Sequence, residues 1–234
     1  MKNELIAYEV DMQNDFMNKN NGRLYVPNAE TIKANVAKTV EYVLDANLRR
    51  IRSRDRHFAD DVELTKNGGP FPEHAMDKIY GQKNQNGQFG IDFIPELKVV
   101  DTYVVENKIG EQNKFRTYTN QELEKIAKGN RNGKGDIVFE KQHYDVFTNP
   151  AAEKVLELMG VKKAVVYGVA TDYCVKAAVI GMQQRGIVTY VVEDAIEGIT
   201  KDGIKLAKQE MAANGARFVK LNQLEELLRW NKIL

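Results

Sequence analysis

The single cysteine of the chain, Cys174, lies where a predicted strand turns into a predicted helix. It ends the stretch GVATDYC and follows the apolar run KAVVYGV, and VKAAVIGMQQRG comes after it. Unpaired N–H groups at a helix N-terminus favour an anion, so we expect a lowered thiol pKa and a turn that can hold an oxyanion. The alternative is that Cys174 is a small buried hydrophobic residue, as most single cysteines are.

A nucleophilic thiol needs a base, and none of the three histidines is near Cys174 in sequence. Asp11 ends one predicted strand, in VDMQNDF, and Lys141 ends another, in FEKQHYDVF. A lysine can keep Asp11 ionised and oriented, so that its carboxylate accepts the thiol proton. The alternatives are a turn or cap residue for Asp11 and a solvated surface lysine for Lys141.

A second group of residues has the chemistry of a metal site. Asp55 and His57 are two positions apart in RDRHF, which places both side chains on one face of an extended strand end, and His74 follows in FPEH. Two imidazoles and a carboxylate suit a divalent transition metal with open positions for water or substrate. The alternative is two surface histidines and an aspartate paired with neighbouring arginines. The third histidine, His143, is interpreted as a pocket or surface residue.

Alternating strand and helix patterns surround these residues. The predicted strands are LIAYEV, IRSRD, DTYVVENK, DIVFEK, KAVVYGV, VTYVVEDA and RFVKL. Helical patterns occur between most of them, such as NPAAEKVLELMG with Asn149 as N-cap, Pro150 at the first position and Gly160 after the end. This order predicts an α/β fold with a parallel sheet covered by helices on both faces.

The carboxyl ends of parallel strands meet at one edge of a sheet, where ligands bind. Asp11, Asp55, Lys141 and the turn before Cys174 all fall at such ends. We interpret residues 1–234 as a single domain with two irregular regions. These are a long loop over the active face at about 58–98 and a surface insertion at about 107–135, as lengths and composition suggest.

Bulk composition excludes several classes of function. With 34 basic and 33 acidic residues, the formal net charge of +1 gives no reason to expect a nucleic acid or an acidic membrane as partner. No apolar run approaches the roughly 18 residues of a membrane span. The start of the chain does not resemble a signal peptide, and one cysteine forms no internal disulfide, so we expect a cytoplasmic protein. A thiol sensor is disfavoured because a resolving cysteine is missing, and a nucleotide-binding protein because no G-x-G-x-x-G follows the first strand.

The motifs together resemble a known family. VDMQNDF, D-x-H, FPEH, K..YDVF and GVATDYCV, in this order, are similar to the isochorismatase-like cysteine hydrolases and, within them, most similar to the nicotinamidases. The resemblance runs from about Leu5 to about Ala195. It implies a three-layer α/β/α sandwich with a mostly parallel central sheet and Rossmann-like topology, in agreement with the element order.

The resemblance also implies roles for individual residues. Its catalytic triad would be Asp11, Lys141 and Cys174. Its oxyanion hole would be the backbone N–H groups of Ala170 and Cys174, beside a cis peptide bond at Val169–Ala170. Its metal ligands would be Asp55, His57 and His74. The metal would be zinc, with iron or manganese as alternatives, and no further cofactor is expected.

The implied activity is a metal-dependent amidohydrolase of NAD salvage that converts nicotinamide to nicotinate and ammonia through a cysteine thioester. Its partner would be a small-molecule amide, and assembly into a homo-oligomer stays open. Isochorismatase-type members lack the nucleophilic cysteine, which argues against them. A related cysteine amidase for another small amide or carbamoyl compound is the main alternative. Two departures bear on the substrate: Ala75 follows His74 with no Gly-Thr-x-Gly turn, and Glu9 lies inside an apolar strand.

Overall fold

Seven parallel strands form one sheet in a computed structural model of the chain. The structure describes residues 4–79, 81–99, 101–112, 114–129 and 135–229. The strands are β1 (Leu5–Val10), β2 (Arg49–Asp55), β3 (Tyr103–Val105), β4 (Ile137–Lys141), β5 (Lys163–Val169), β6 (Val188–Glu197) and β7 (Arg217–Val219). Their order is β3-β4-β2-β1-β5-β6-β7 and every neighbouring pair is parallel, which confirms the predicted sheet.

Helices cover both faces of this sheet, as predicted. They are α1 (Asn14–Met17), α2 (Lys33–Asp45), α3 (Asn120–Lys128), α4 (Pro150–Met159), α5 (Lys176–Gln184), α6 (Lys201–Ala213) and α7 (Leu221–Arg229). Buried side chains of α3, α4, α5 and α6 share a core with one face of β1, and those of α1, α2 and α7 belong to the core of the other face. The result is the expected three-layer sandwich. None of the helices among the described residues is long and apolar enough to cross a membrane.

Helix α4 shows how local sequence sets the elements. The Asn149 side chain accepts a hydrogen bond from the Ala151 N–H, Pro150 occupies the first helical position, and Gly160 ends the helix in the left-handed conformation with φ of 70°. Each of these residues either pairs a backbone N–H or carbonyl at a helix end or, in the case of proline, has no N–H to pair. The helix therefore begins and ends where the sequence predicts, and its apolar face packs onto the sheet beside β4 and β5.

Strand β2 departs from the expectation that buried strands are apolar. Three of its four arginines, Arg49, Arg50 and Arg52, are buried, and Arg52 is 0% exposed in the middle of the sheet. The Arg52 Nε donates to Glu9 Oε2 at 2.6 Å, and Arg52 Nη2 lies 2.9 Å from Asp136 Oδ2. The Tyr167 hydroxyl also donates to Glu9, at 2.8 Å. The unexpected Glu9 of β1 is thus the carboxylate that neutralises an arginine on the neighbouring strand.

We expect Arg52→Met to lower the free energy of unfolding by about 3–5 kcal/mol, because it leaves Glu9 buried with only the more distant Arg50, at 3.9 Å, as a cation. The measurement is urea denaturation. The matched control is Lys38→Met, which removes the exposed Lys38–Glu41 pair and should change stability by less than about 1 kcal/mol. Equal effects of the two substitutions would contradict a structural role for the buried pair.

The two irregular regions differ from each other. Within residues 58–98 the described segments form only short 3-10 turns, Thr65–Asn67 and Pro95–Leu97, between loops. The second region contains α3, but it opens with Asn107 and Lys108, which are 2% and 0% exposed. The start of this predicted surface insertion is therefore buried, because Lys108 reaches two aspartates of the first region. Residues 130–134 of the insertion lie outside the described residues.

Candidate active site

Four neighbouring strands deliver the predicted site residues to one edge of the sheet. Asp11 follows β1, Asp55 ends β2, Lys141 ends β4, and Cys174 follows β5 after a short turn. Asp55 and Lys141 are register partners in the β2–β4 ladder, so their side chains leave adjacent strands on the same face. The convergence expected at the carboxyl ends is therefore present.

Lys141 lies at the centre of the acid–base group. Its Nζ is 2.8 Å from Asp11 Oδ2 and 3.5 Å from Cys174 Sγ, and it donates a short hydrogen bond to Asp55 Oδ1. The side chains of Lys141 and Asp11 are each 1% exposed. One ammonium thus touches two carboxylates and the thiol with almost no water nearby, which is not the surface lysine of the alternative interpretation.

Burial dominates the electrostatics of the thiol. It raises the pKa of Cys174 well above the usual range, with Asp11 and Asp55 adding to the effect and Lys141 opposing it. This direction is opposite to the sequence expectation of a lowered thiol pKa, because desolvation and two carboxylates outweigh one ammonium. Burial also raises the pKa of Asp11, which Lys141 counteracts. The arrangement therefore favours a neutral thiol.

Cys174 lies in a π-helical turn, Thr171–Val175, and α5 begins only at Lys176. The sequence pattern predicts a plain helix start, but here the Val175 N–H donates to the Ala170 carbonyl, five residues back, at 3.1 Å. Such wide turns occur often at functional sites. The Val169–Ala170 bond before the turn is cis, as the family resemblance implies.

Two backbone positions beside the site adopt conformations that the sequence pattern does not reveal. Gly168 has φ of 129°, and a Cβ there would collide with the backbone of Val10 on β1, so only glycine fits. Asp11 has φ of 45°, which is uncommon outside glycine and costs free energy. Strained backbone of this kind is typical of residues held for function.

The predicted metal ligands also lie together. One ligand atom from each of Asp55, His57 and His74 lies within 4.8 Å of the others, and all three residues are buried. The His74 Nδ1 is hydrogen-bonded to the Pro72 carbonyl at 2.7 Å, and its Nε2 lies 4.0 Å from Asp55 Oδ2. The Nε2 atom of His57 is buried and has no hydrogen-bond partner among the described residues. A buried unpaired imidazole nitrogen beside a carboxylate fits a transition metal.

Backbone hydrogen bonds fix the two histidines relative to each other. The His57 N–H donates to the Ala75 carbonyl at 3.0 Å, and the Asp77 N–H donates to the His57 carbonyl at 2.8 Å. Asp15 then accepts a hydrogen bond from the Ala75 N–H at 2.7 Å, which ties the loop to α1. The 58–98 loop therefore carries His74 back to the strand end that carries His57.

Asp55 belongs both to the acid–base group around Lys141 and to the cluster of predicted metal ligands. Its Oδ1 accepts from Lys141, while its Oδ2 faces His74. The acid–base group and the metal-ligand cluster open into one cavity of about 120 Å³, whose lining includes Asp11, Asp55, His74 and Cys174. Its aromatic lining consists of Phe16, Phe71, Tyr144 and Tyr173. The cavity is suited to a small, flat molecule that presents one polar group to the thiol.

Comparison with known proteins identifies a similar family and similar solved structures. The family model described as the isochorismatase domain matches residues 110–223. This segment, just under half of the 234 residues, is similar to the isochorismatase-like hydrolases. It contains Lys141, Ala170 and Cys174, whereas the predicted residues Asp11, Asp55, His57 and His74 precede it.

Solved structures share the fold of this chain over nearly their whole length. A pyrazinamidase of Pyrococcus horikoshii in complex with zinc has 24% identity, a TM-score of 0.67, and coverage of 93% of this chain and 99% of that one. PnC1 of L. infantum in complex with nicotinate has 16% identity, a TM-score of 0.67, and coverage of 95% and 96%. N-carbamoylsarcosine amidase of Thermoplasma acidophilum has 22% identity, a TM-score of 0.63, and coverage of 94% and 97%. No curated protein matches the chain.

Sequence reasoning missed three residues of the candidate site. Gln13 holds the backbone of Asp55, because its Oε1 accepts from the Asp55 N–H and its Nε2 donates to the Asp55 carbonyl, both at 2.8 Å. The sequence signal for Gln13 is its position two residues after Asp11 in VDMQNDF. Glu63 lines the cavity, and burial together with Asp55 raises its pKa to about 7. Asp61 lies against His57, at 3.2 Å from its Nδ1.

His143 is separate from the ligand group. Its side chain is 43% exposed, and its Nε2 lies 3.6 Å from Glu63. It does not belong to the cluster of Asp55, His57 and His74. The interpretation of His143 as a residue at the surface or the pocket edge agrees with this position.

Proposed function

We propose that the chain is a metal-dependent amidohydrolase that converts nicotinamide to nicotinate and ammonia. One observation carries the proposal. Asp55 contacts both Lys141 and His74, and it lines the same cavity as Cys174. An amide that reaches Cys174 in this cavity is also beside the proposed metal ligands. The reaction would supply nicotinate for NAD salvage. The zinc-bound pyrazinamidase and the nicotinate complex among the similar structures support this choice of substrate class.

Asp11, Lys141 and Cys174 are the proposed catalytic residues. Asp11 accepts the thiol proton, and the Cys174 sulfur forms a bond to the amide carbon. Lys141 keeps Asp11 ionised and oriented through its 2.8 Å contact. The oxyanion of the tetrahedral intermediate would accept hydrogen bonds from the backbone N–H groups of Ala170 and Cys174, which both line the cavity.

Collapse of the intermediate breaks the carbon–nitrogen bond. Asp11 returns its proton to the leaving nitrogen, which departs as ammonia and leaves a thioester on Cys174. Water then attacks the thioester carbon and gives a proton to Asp11. When the carbon–sulfur bond breaks, Asp11 returns that proton to the thiolate. The products are the starting thiol and nicotinic acid, which becomes nicotinate by giving its remaining proton to ammonia or to solvent.

Asp55, His57 and His74 would hold the proposed divalent metal. A bound cation there supplies a Lewis acid that can bind the ring nitrogen of a pyridine amide. The aromatic side chains Phe16 and Phe71 border the same cavity, and the rings of Phe71 and Tyr173 are 5.9 Å apart in an edge contact. These rings can pack on a flat substrate and exclude water from the thioester.

A related amidase for a small carbamoyl compound is the second candidate. The fold likeness to N-carbamoylsarcosine amidase favours it, together with the absence of a Gly-Thr-x-Gly turn after His74. The two candidates use the same Asp11, Lys141 and Cys174. They differ in whether the metal ligands contribute to substrate binding.

We expect His57→Ala to raise KM for nicotinamide by roughly tenfold or more, the equivalent of one good orienting contact, with a smaller effect on aliphatic amides. The measurement is ammonia release from nicotinamide, pyrazinamide, N-carbamoylsarcosine and an aliphatic amide, with metal content determined on each protein. A strong chelator should act like the substitution. The protein should stay folded without metal, since a domain of this size has a sufficient core.

The control is His143→Ala, which removes a histidine outside the ligand group. It should leave metal content and the KM for nicotinamide near the wild-type values. If the purified protein carries no metal, and nicotinamide turnover is indifferent to chelator and to His57→Ala, the general amidase takes the place of the nicotinamidase.

A further inference from the structure

A buried pair of charged residues, Asp61 and Lys108, lies behind the imidazole of His57. The Asp61 side chain is 4% exposed and that of Lys108 is 1% exposed. They come from separate regions of the chain, the 58–98 loop and the 107–135 region. The proposed catalytic residues do not include either of them, so their burial needs another explanation.

Asp61 uses both oxygens as acceptors. Its Oδ2 accepts from the Phe58 N–H at 2.7 Å and lies 3.2 Å from His57 Nδ1. Its Oδ1 accepts from Lys108 Nζ at 2.6 Å. With a backbone N–H on one oxygen and an ammonium on the other, the carboxylate cannot rotate without losing a hydrogen bond in a dry environment.

This fixed carboxylate determines which nitrogen of His57 carries the proton. An ionised carboxylate only accepts hydrogen bonds, so a neutral His57 must place its proton on Nδ1. The lone pair is then on Nε2, the buried atom that has no hydrogen-bond partner among the described residues. A neutral imidazole with a free Nε2 is the form that binds a metal.

Lys108 supplies the cation that pairs with Asp61 and holds its carboxylate in place. Its Nζ lies 2.6 Å from both Asp61 Oδ1 and Asp60 Oδ1. The ammonium also lies 5.3 Å from the centre of the Phe58 ring. A lysine buried to this degree is costly unless it is paired, and here two neighbouring carboxylates pair with it. The 107–135 region thus contributes a cation to the back of the ligand group.

We propose that Asp61 and Lys108 are positioning residues that hold His57 in its Nδ1–H tautomer and so preset Nε2 as a metal ligand. The inference rests on the metal site of the proposed function, but not on the identity of the amide. Asp61 orients the histidine, and Lys108 orients Asp61. Outer partners of this kind typically change metal affinity by about 10–100-fold when they are removed.

The test uses the full chain labelled with ¹⁵N-histidine and two readouts that do not depend on turnover. NMR of the metal-free protein reports the tautomer of His57, with signals assigned from His57→Ala and His143→Ala. Competition with a chromophoric chelator gives the affinity for Zn²⁺ alone. The variants are Asp61→Ala, the isosteric Asp61→Asn and Lys108→Met. Asp60→Asn is the matched control, because Asp60 pairs with the same ammonium, whereas the carboxylate against His57 Nδ1 is that of Asp61.

We expect the wild-type protein to show the Nδ1–H tautomer and Asp61→Ala to show a mixture, with Zn²⁺ affinity lowered roughly 10–100-fold. Lys108→Met should shift both readouts in the same direction by less, and Asp60→Asn should match the wild type. Wild-type tautomer and affinity in both Asp61→Ala and Lys108→Met would overturn the proposal, whereas Asp61→Asn, whose amide oxygen can still accept from Nδ1, should lose less than Asp61→Ala. A wild-type protein that fails to bind Zn²⁺ would instead count against the proposed function, while the tautomer of the metal-free variants still tests Asp61.

Discussion

Replacing Cys174 with alanine is expected to abolish ammonia release while the protein stays folded. In the proposed reaction the sulfur bonds to the amide carbon, and loss of the nucleophile of a catalytic triad costs roughly 10⁶-fold in turnover. Deleting one small sulfur removes little packing, and it also removes a thiol that lies beside two buried carboxylates. The measurement is ammonia release at saturating nicotinamide, with thermal melting as the check on folding.

Mass spectrometry gives an independent check on the same substitution. Rapidly quenched wild-type protein should carry the added mass of a nicotinoyl group on Cys174, and the alanine variant should not. A variant that keeps a substantial part of the wild-type turnover would contradict covalent catalysis, whatever the substrate.

We expect Asp11→Asn and Lys141→Ala each to lower kcat/KM by roughly 100-fold or more, the usual scale for loss of acid–base help. An asparagine in place of Asp11 could not accept the thiol proton, and without Lys141 the carboxylates of Asp11 and Asp55 would lose the ammonium that touches both. The double variant should lose far less than the product of the two effects, because the residues act as a unit. Steady-state kinetics with nicotinamide measure all three proteins.

Lys154→Ala is the control for the lysine substitution. Lys154 pairs with Glu157 on the exposed side of α4, 2.9 Å away, and should change neither kinetics nor stability appreciably. Full additivity of the Asp11 and Lys141 effects would indicate that the two side chains act separately and would contradict the proton-transfer role of the pair.

Most of the fold could be predicted because its signals are local. The run LIAYEV predicts β1 at the residues where it is found, and the cap, proline and terminal glycine of α4 mark both helix ends. Strand β2 was harder, since Ile51 is the only apolar residue of RRIRSRD and the strand is buried only because carboxylates of other segments face it. Ion pairs of that kind depend on which strands are neighbours in the sheet. The hydrophobic periodicity along one strand gives no information about those neighbours.

In the candidate site, too, local signals could be predicted and contacts between distant segments could not. Asp11, Asp55 and Lys141 could be placed together because strand ends converge in a parallel sheet. The sign of the thiol pKa shift was wrong, since burial and neighbouring carboxylates depend on packing. Lys108 could not be found at all from its own surroundings in sequence, which are polar and irregular. Its role depends on a contact with Asp61 across 47 positions of the chain.

The arginine-rich face of β2 has a consequence for the correct assembly of the sheet. Arg50 and Arg52 alternate with Ile51, and in the native register they meet Glu9 and Asp136 while the isoleucine packs in the apolar core. A shift of the strand by one position would drive an arginine into that core and an isoleucine among the carboxylates. A sheet with β2 in a shifted register would therefore be much less stable than the native one. The same alignment places Asp55 opposite Lys141. The buried charges of β2 therefore also fix the relative positions of these two residues of the candidate site.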